Sequence, residues 1–289
     1  METTIPKLIF IVPYRDRRQE KCIFSVYMKY IMEDYNKNDY EIYYSHQTDS
    51  RPFNRGATKN IGFLAMKKKY PNDYHNITFV FNDIDTLPVT KNTFDYATTK
   101  GIVKHFYGFT FTLGGIFSIV GSDFEKCNGF PNNWGWGLED NVMNDRVLLN
   151  EFIIKRDQFY PRETREVIHL YDTPNRIINN KEPGNYVNKN FNDNLSNIHD
   201  LDYIIVPNTI SNISNETTNE IINETTNNIK VSTIEQREYM INISHFKTYV
   251  NPANEIFYTQ NTFYESKLTP KMYEKMIHKQ TWALSNRFI

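Results

Sequence analysis

Two carboxylates one residue apart, Asp83 and Asp85, directly follow the apolar run at 77–81. In open α/β sheets, ligands gather beyond the carboxyl ends of the strands. A pair on an extended segment there can divide its work. One carboxylate holds a hard divalent cation, Mn²⁺ or Mg²⁺, and the other meets a sugar or ribose hydroxyl. A second group, Trp134-Gly135-Trp136-Gly137-Leu138-Glu139-Asp140, is more specific. Glycine weakens helix and strand alike, so these tryptophans do not belong to a regular element. An aromatic face beside two carboxylates suits a sugar: the ring covers C–H surface and a carboxylate takes a hydroxyl proton. Asp140 stands where a helix is expected to begin. The positive helix end lowers a carboxylate's pKa, as suits a base that must be ionised at neutral pH. Arg15 and Arg17 after the first strand, and Arg55 before a helix, suit phosphate oxygens, which guanidinium grips bidentately. His169 lies far along the chain, where a second metal ligand can join across loops. Each piece has a plainer reading when taken singly: solvated turn acids, core tryptophans with helix-capping acids, surface arginines, and a histidine that binds nothing.

Those residues need elements to hold them. Residues 8–12 read as a buried strand closed by Pro13, and 19–35 carry apolar residues at helical spacing. A short β-like stretch covers 41–45. Residues 60–70 read as a helix ending in a lysine run, which suits a helix C-terminus. The strand at 77–81 runs into the carboxylate pair. Residues 106–115 are extended and broken by Gly114-Gly115; a strand resumes at 116–120, and a helix covers 140–150. A further strand at 165–168 precedes His169. This alternation predicts an α/β domain with a mostly parallel sheet. After about Pro207 the composition shifts to Asn, Thr, Ile, Ser and Glu, as in a linker or surface insertion. A strand at 239–243 and a helix at 270–282 are expected beyond it.

Composition narrows the function classes. With 33 Lys+Arg against 34 Asp+Glu, the net charge of −1 argues against nucleic-acid binding through a broad electrostatic footprint. At 39% hydrophobic and 15% aromatic residues, a large core can form. Two cysteines, Cys22 and Cys127, exclude a disulfide framework. No signal peptide or membrane-spanning run is visible, which gives the expectation of a cytoplasmic enzyme without a membrane anchor. Asn is over-represented, as in AT-rich coding sequence. Asn-x-Ser/Thr matches at Asn212, Asn215 and Asn223 therefore carry little weight.

In this order the pieces resemble the β-1,4-galactosyltransferase family of inverting glycosyltransferases. The likeness runs through Ile11-Val12-Pro13-Tyr14-Arg15-Asp16-Arg17, Phe53-Asn54-Arg55 to Phe63, Phe81-Asn82-Asp83-Ile84-Asp85 with Pro88, and Gly114-Gly115. It continues through Asn128-Gly129-Phe130-Pro131-Asn132-Asn133 into the tryptophan block, then His169 to Asp172, and spans about residues 7–206. The resemblance implies a GT-A (Rossmann-like) fold with a mostly parallel central sheet at 1–206. A linker or insertion at 207–230 and a C-terminal extension of unassigned role at 231–289 would follow. It implies Asp85 and His169 as Mn²⁺ ligands, with Mg²⁺ an alternative, and Asp83 on the ribose. Arg15, Arg17 and Arg55, with Pro13, Tyr14, Phe53 and Ile84, would hold uridine diphosphate. Trp136 would meet the donor phosphate and sugar, beside Gly115. Asp140 would be the general base and Glu139 would orient sugar hydroxyls. Asp172 would support a loop closing over the donor.

The departures from the family pattern are informative. A third metal ligand, Met three residues before the His or His two residues after it, is replaced here by Glu166 and Tyr171 respectively. Thr112 stands where galactosyl members carry Tyr, which would open room for an N-acetyl group at the donor C2. The donor is thus UDP-galactose by default, with UDP-GalNAc close behind, and the acceptor a glycan or glycoconjugate. Lys104 is a weak candidate for a phosphate contact. Two rivals stand beside this reading: a catalytically silent sugar- or nucleotide-binding module on the same fold, and a metal-dependent phosphohydrolase using Asp83 and Asp85. The tryptophan block has no role in the latter.

Overall fold

The computed structural model describes residues 4–170, 175–180, 193–208 and 237–261. Its centre is a nine-stranded, mostly parallel sheet. The first strand, β1 (Leu8–Tyr14), is buried along its whole length. Such an apolar run, covered on both faces, is what the interior of a parallel sheet requires. It pairs in parallel with β2 (Tyr40–Gln47) on one side and β3 (Thr78–Asn82) on the other, Ile11 lying between Tyr43 and Phe81. Pro13 does not close the strand as expected: it continues the ladder opposite Ser45.

Helix α1 (Arg18–Ile31) joins β1 to β2, and α2 (Arg55–Lys69) joins β2 to β3. Helix α2 starts five residues earlier than its apolar pattern predicts. Asn54 caps it, its side chain accepting from the Ala57 N–H at 2.9 Å. Beyond β3 come β4 (Thr86–Pro88), β5 (Ile102–Gly108) and β6 (Ile116–Val120). Strand β6 runs antiparallel between β3 and β5. Helices α3 (Gly121–Lys126) and α4 (Glu139–Leu149) follow. Strands β7 (Ile153–Lys155) and β8 (Tyr160–Pro161) then add in parallel to β5. Two small ribbons flank the sheet: β4 with β9 (Val167–His169), and β10 (Asn175–Asn179) with β13 (Phe257–Asn261).

The sheet does not end near residue 206. Strand β11 (His199–Pro207) pairs antiparallel with β12 (Glu238–Lys247), and β12 pairs parallel with β2. The strand expected at 239–243 is therefore longer and lies inside the sheet, with Ile241, Ile243 and Phe246 fully buried. Residues 237–261 are thus part of the sheet and of one flanking ribbon. Periodicity can propose a strand; it cannot say which neighbour the strand will find far away in the chain. The linker or insertion expected at 207–230 lies, from residue 209 on, outside the described residues, as does the helix expected at 270–282. No described helix is long and apolar enough to cross a membrane, a fact that assigns no compartment. Cys22 and Cys127 are both free thiols.

Candidate active site

The carboxylate pair sits at the carboxyl end of β3, but not on an extended segment. On such a segment, residues i and i+2 face the same way. Here the Thr86 N–H donates to the Asp83 carbonyl at 3.1 Å, closing a turn. Ile84 enters the core at 4% exposure and the two carboxylates find separate partners. Asp85 Oδ2 accepts from Arg17 Nη1 at 3.0 Å, and its Oδ1 from the Thr86 hydroxyl at 3.0 Å. Asp83 pairs with Arg55 and lies 3.9 Å from Lys59 Nζ.

Asp140 occupies the first turn of α4, which begins after Leu138 in the left-handed region at φ +65°. Arg55 Nη1 reaches Asp140 Oδ2 at 2.8 Å and also pairs with Glu139. Lys59 Nζ donates to Asp140 Oδ1 at 2.9 Å. Burial alone would push the Asp140 pKa up. The Arg55 and Lys59 charges outweigh it and hold the carboxyl down at about 2, so Asp140 is ionised at neutral pH. Burial also disfavours a charged Arg55, yet Asp140, Asp83 and Glu139 together keep it firmly protonated.

Why these groups meet is legible in the backbone. Arg55 and Lys59 are four residues apart on α2 and so share one helix face. The segment before the tryptophan block is latched to the same helix. Asn54 Nδ2 donates to the Asn132 carbonyl at 2.9 Å, Asn60 Nδ2 to the Phe130 carbonyl at 2.8 Å, and the Phe130 N–H to Asn60 Oδ1 at 2.8 Å. On the other side, the Leu113 N–H donates to the Asp140 carbonyl at 2.9 Å. A Cβ on Gly114 would lie 2.6 Å from Asp140 Oδ2, so glycine is what lets the carboxylate settle there. His105 braces this turn. Burial, aided by the Arg156 charge, lowers its pKa to about 4. The neutral ring donates from Nε2 toward the carbonyls of Tyr107 (3.0 Å) and Gly114 (3.1 Å) while Nδ1 accepts from Arg156 Nε at 3.2 Å.

The two tryptophans part company. Trp134 is core: 1% exposed, stacked on Phe246 at 5.2 Å, under Arg51 at 4.6 Å, its indole N–H bonded to Thr248 Oγ1 at 3.0 Å. Trp136 is 48% exposed, held by its backbone N–H on the Ile177 carbonyl of β10 at 2.7 Å. Gly137, at φ +123°, makes the turn between them and α4 that a side chain would strain.

His169 ends β9 and stands opposite Thr86 in the ribbon, and the next N–H, Leu170, donates to the Asp85 carbonyl at 2.8 Å. Asp85 and His169 are therefore neighbours across paired strands. His169 Nδ1 lies 3.0 Å from the Tyr107 hydroxyl. If Tyr107 accepts from Nδ1–H, Nε2 keeps its lone pair for a metal. One carboxylate and one imidazole fit Mn²⁺ as a partial set, completed by oxygens from a diphosphate. Among the described residues no third His, Cys, Asp or Glu joins them. Glu166 is not brought to Asp85: its carbonyl takes the Val89 N–H at 2.9 Å, beyond the far end of β4, and its carboxylate turns to Thr164. An odd number of residues along a strand from His169, it faces the opposite side. Tyr171 and Asp172 lie outside the described residues.

Arg15 donates to the Arg51 carbonyl, and Tyr14 is buried against the His46 ring at 4.7 Å. The Phe53 carbonyl accepts from the Gly135 N–H at 3.1 Å, joining the arginine segment to the tryptophan block. Thr112 is buried, its hydroxyl on the Phe109 carbonyl at 3.3 Å, and Gly115 packs on Tyr107. Lys104 points elsewhere, pairing with Asp95 at 2.7 Å. Lys59 and Tyr107 are not among the residues that the sequence motifs mark. The i, i+4 spacing from Arg55 is the signal that would have found Lys59; nothing local marks Tyr107.

Known proteins resemble this chain in sequence and in fold. Residues 3–97 match the family described as the N-terminal region of glycosyl transferase group 7. Residues 102–173 match that described as the N-terminal domain of galactosyltransferase. The chain is 30% identical over 219 residues to a xylosylprotein 4-β-galactosyltransferase of Caenorhabditis elegans, covering 71% of this chain and 73% of that one. It is 30% identical over 178 residues to β-1,4-galactosyltransferase 1 of Bos taurus, of whose length it spans 43%. The fold superposes on the catalytic domain of Drosophila β1,4-galactosyltransferase 7 in complex with xylobiose, with a TM-score of 0.54 at 21% identity, over 83% of this chain and 94% of the other. A mutant of the same fly enzyme, complexed with manganese, UDP-Gal and xylobiose, also scores 0.54 at 20% identity, with the same coverage. The fold is that of a GT-A glycosyltransferase. More narrowly, the chain belongs to the β-1,4-galactosyltransferase family.

Proposed function

We propose that this protein transfers a hexose, galactose by default, from a UDP-sugar to a sugar hydroxyl with inversion, forming a β-1,4 linkage, with Asp140 as general base. The observation that carries the reading is the Asp140 carboxylate itself. It is ionised, fixed at the start of α4 and flanked by the Gly114-Gly115 turn, with exposed Trp136 close by in sequence. Asp140 takes the proton of the acceptor hydroxyl. The oxygen attacks C1 of the donor, the bond from C1 to the diphosphate oxygen breaks, and UDP leaves with that electron pair. Arg15, Arg17 and Arg55 meet the diphosphate, Asp83 the ribose, and Glu139 and Trp136 the sugars. Asp85 and His169 would hold Mn²⁺, which when bound supplies charge to stabilise the departing diphosphate. A relative named for action on a xylosylprotein, and a structural neighbour in complex with xylobiose, suggest xylose-terminated acceptors among the first to test.

The test is UDP release with UDP-galactose and a panel of sugar acceptors, followed by linkage analysis of the product. Transfer is expected from wild type and not from Asp140→Asn. No release above that variant with any acceptor would leave only a binding role. Thr112 supports UDP-GalNAc as a second donor, because its side chain is smaller than the family's tyrosine. Initial rates with the two donors decide this, and a strong preference for UDP-galactose would sink it.

A further inference from the structure

Lys59 is 1% exposed, although lysine is among the residue types least often buried. Ala57, Ile61 and Ala65 are buried on the same helix, so an apolar residue would be the less costly choice for packing alone. Its Nζ instead donates to Asp140 Oδ1 at 2.9 Å, stands 3.9 Å from Asp83 and lies 4.4 Å over the Phe130 ring. The two cations on Asp140 differ in access. Arg55 keeps a side-chain exposure of 17%, so a donor can reach it; Lys59 is sealed. They also divide the carboxylate. Arg55 holds Oδ2, the oxygen that abuts Gly114, and Lys59 holds Oδ1.

We propose that Lys59 is a positioning residue that anchors Oδ1 of Asp140 from within the protein. Oδ2 is then the oxygen presented to the acceptor hydroxyl once Arg55 turns to the donor diphosphate. The inference rests on Asp140 being the base and Arg55 a diphosphate ligand. Without Lys59, that turn would leave a buried carboxylate with no counter-charge and free to rotate. The other charged or titratable groups around Asp140 are Glu139 on α4, Asp83 after β3 and His105 on β5, none of which is a cation at neutral pH.

The experiment compares Lys59→Met, Lys59→Gln and Asp140→Asn in the full chain, reading kcat, donor KM, Mn²⁺-dependent UDP binding and the pH profile of kcat. Lys59→Met should lower kcat about 10- to 100-fold, the scale of a misplaced reacting group. UDP binding should stay within about twofold, and the acid limb of the profile should move to higher pH, since the carboxylate has lost a cation. Lys59→Gln, which keeps a donor but no charge, should recover part of kcat with the limb still displaced. Wild-type kcat and an unmoved limb in Lys59→Met would overturn the proposal, as would an equal loss of UDP binding. Failure of both Lys59 variants to fold, with Asp140→Asn folded, would mark the amine as structural and also overturn it. Full turnover in Asp140→Asn would instead remove the base reading itself, so the two failures are told apart.

Discussion

Asp140 and Asp85 are both carboxylates at the mouth of one sheet, yet the chain treats them differently. Asp140 is enclosed by Arg55 and Lys59 from α2, the Gly114 turn and its own helix, and its charge is balanced by the protein's own cations. Asp85 stands in the turn that leads into a two-stranded ribbon, shared between Arg17 and Thr86, with His169 opposite the next residue, Thr86, and Tyr107 behind His169. The first arrangement fixes an ionised carboxylate, the proposed proton acceptor, before any substrate arrives. The second offers donors of mixed type that a cation and a diphosphate would complete. Rigid helix and turn serve chemistry that must be aimed; a short ribbon serves a site built together with its ligand.

This contrast can be broken by exchanging the expected phenotypes. The largest effect is expected from Asp140→Asn: kcat falls by about 10²–10⁴, the usual contribution of a general base, while Mn²⁺-dependent UDP binding persists. Steady-state rates and a UDP titration check both halves; loss of UDP binding here would merge the two regions. Asp85→Ala should do the reverse, removing about 100-fold or more of Mn²⁺-dependent UDP affinity, since an ion's charge stabilisation is worth several kcal/mol. Calorimetric titration with and without Mn²⁺ reads it, and wild-type affinity in this variant would end the metal assignment.

Tyr107→Phe sharpens the comparison further. It removes the hydroxyl 3.0 Å from His169 Nδ1 and should weaken Mn²⁺ about tenfold with kcat preserved at saturating metal. The smallest effect is on stability. The folded Asp140 pKa of about 2 lies below the reference 3.8, so its contribution is present above about pH 4 and is lost as pH falls through about 2. Unfolding free energies from urea melts between pH 5 and pH 2 should fall less steeply for Asp140→Asn than for wild type, by about 1–2 kcal/mol over the range.

What could be read from sequence follows from the reach of each signal. Apolar runs marked β1, β3 and β6 because a strand buried on both faces announces itself locally. The tryptophan block and the carboxylate pair are legible because they occur together and in order, each having a plainer reading when taken alone. The division of labour between Trp134 and Trp136 did not show, because it depends on Phe246 and Thr248, more than a hundred residues away in the chain. Lys59 lies in α2 just before the stretch, from residue 60 on, whose apolar spacing reads as helix. The abundance of Asn concealed the ones that matter: Asn54, Asn60 and Asn132 form the latch between α2 and the tryptophan block, indistinguishable by composition from the many that do not.

The place of β12 has a consequence for how the chain is made. Strand β2 is complete at Gln47, but the neighbour that covers its outer edge ends at Lys247. At about 5–20 residues per second on the ribosome, that edge waits roughly ten to forty seconds for its partner. During that time it offers unpaired N–H and C=O groups to any other nascent chain. Truncations ending near residue 206 would make the exposure permanent, so such fragments should aggregate during synthesis even though they retain every residue of the candidate site named above. Expression trials should keep the chain at least through Asn261, the last residue of β13.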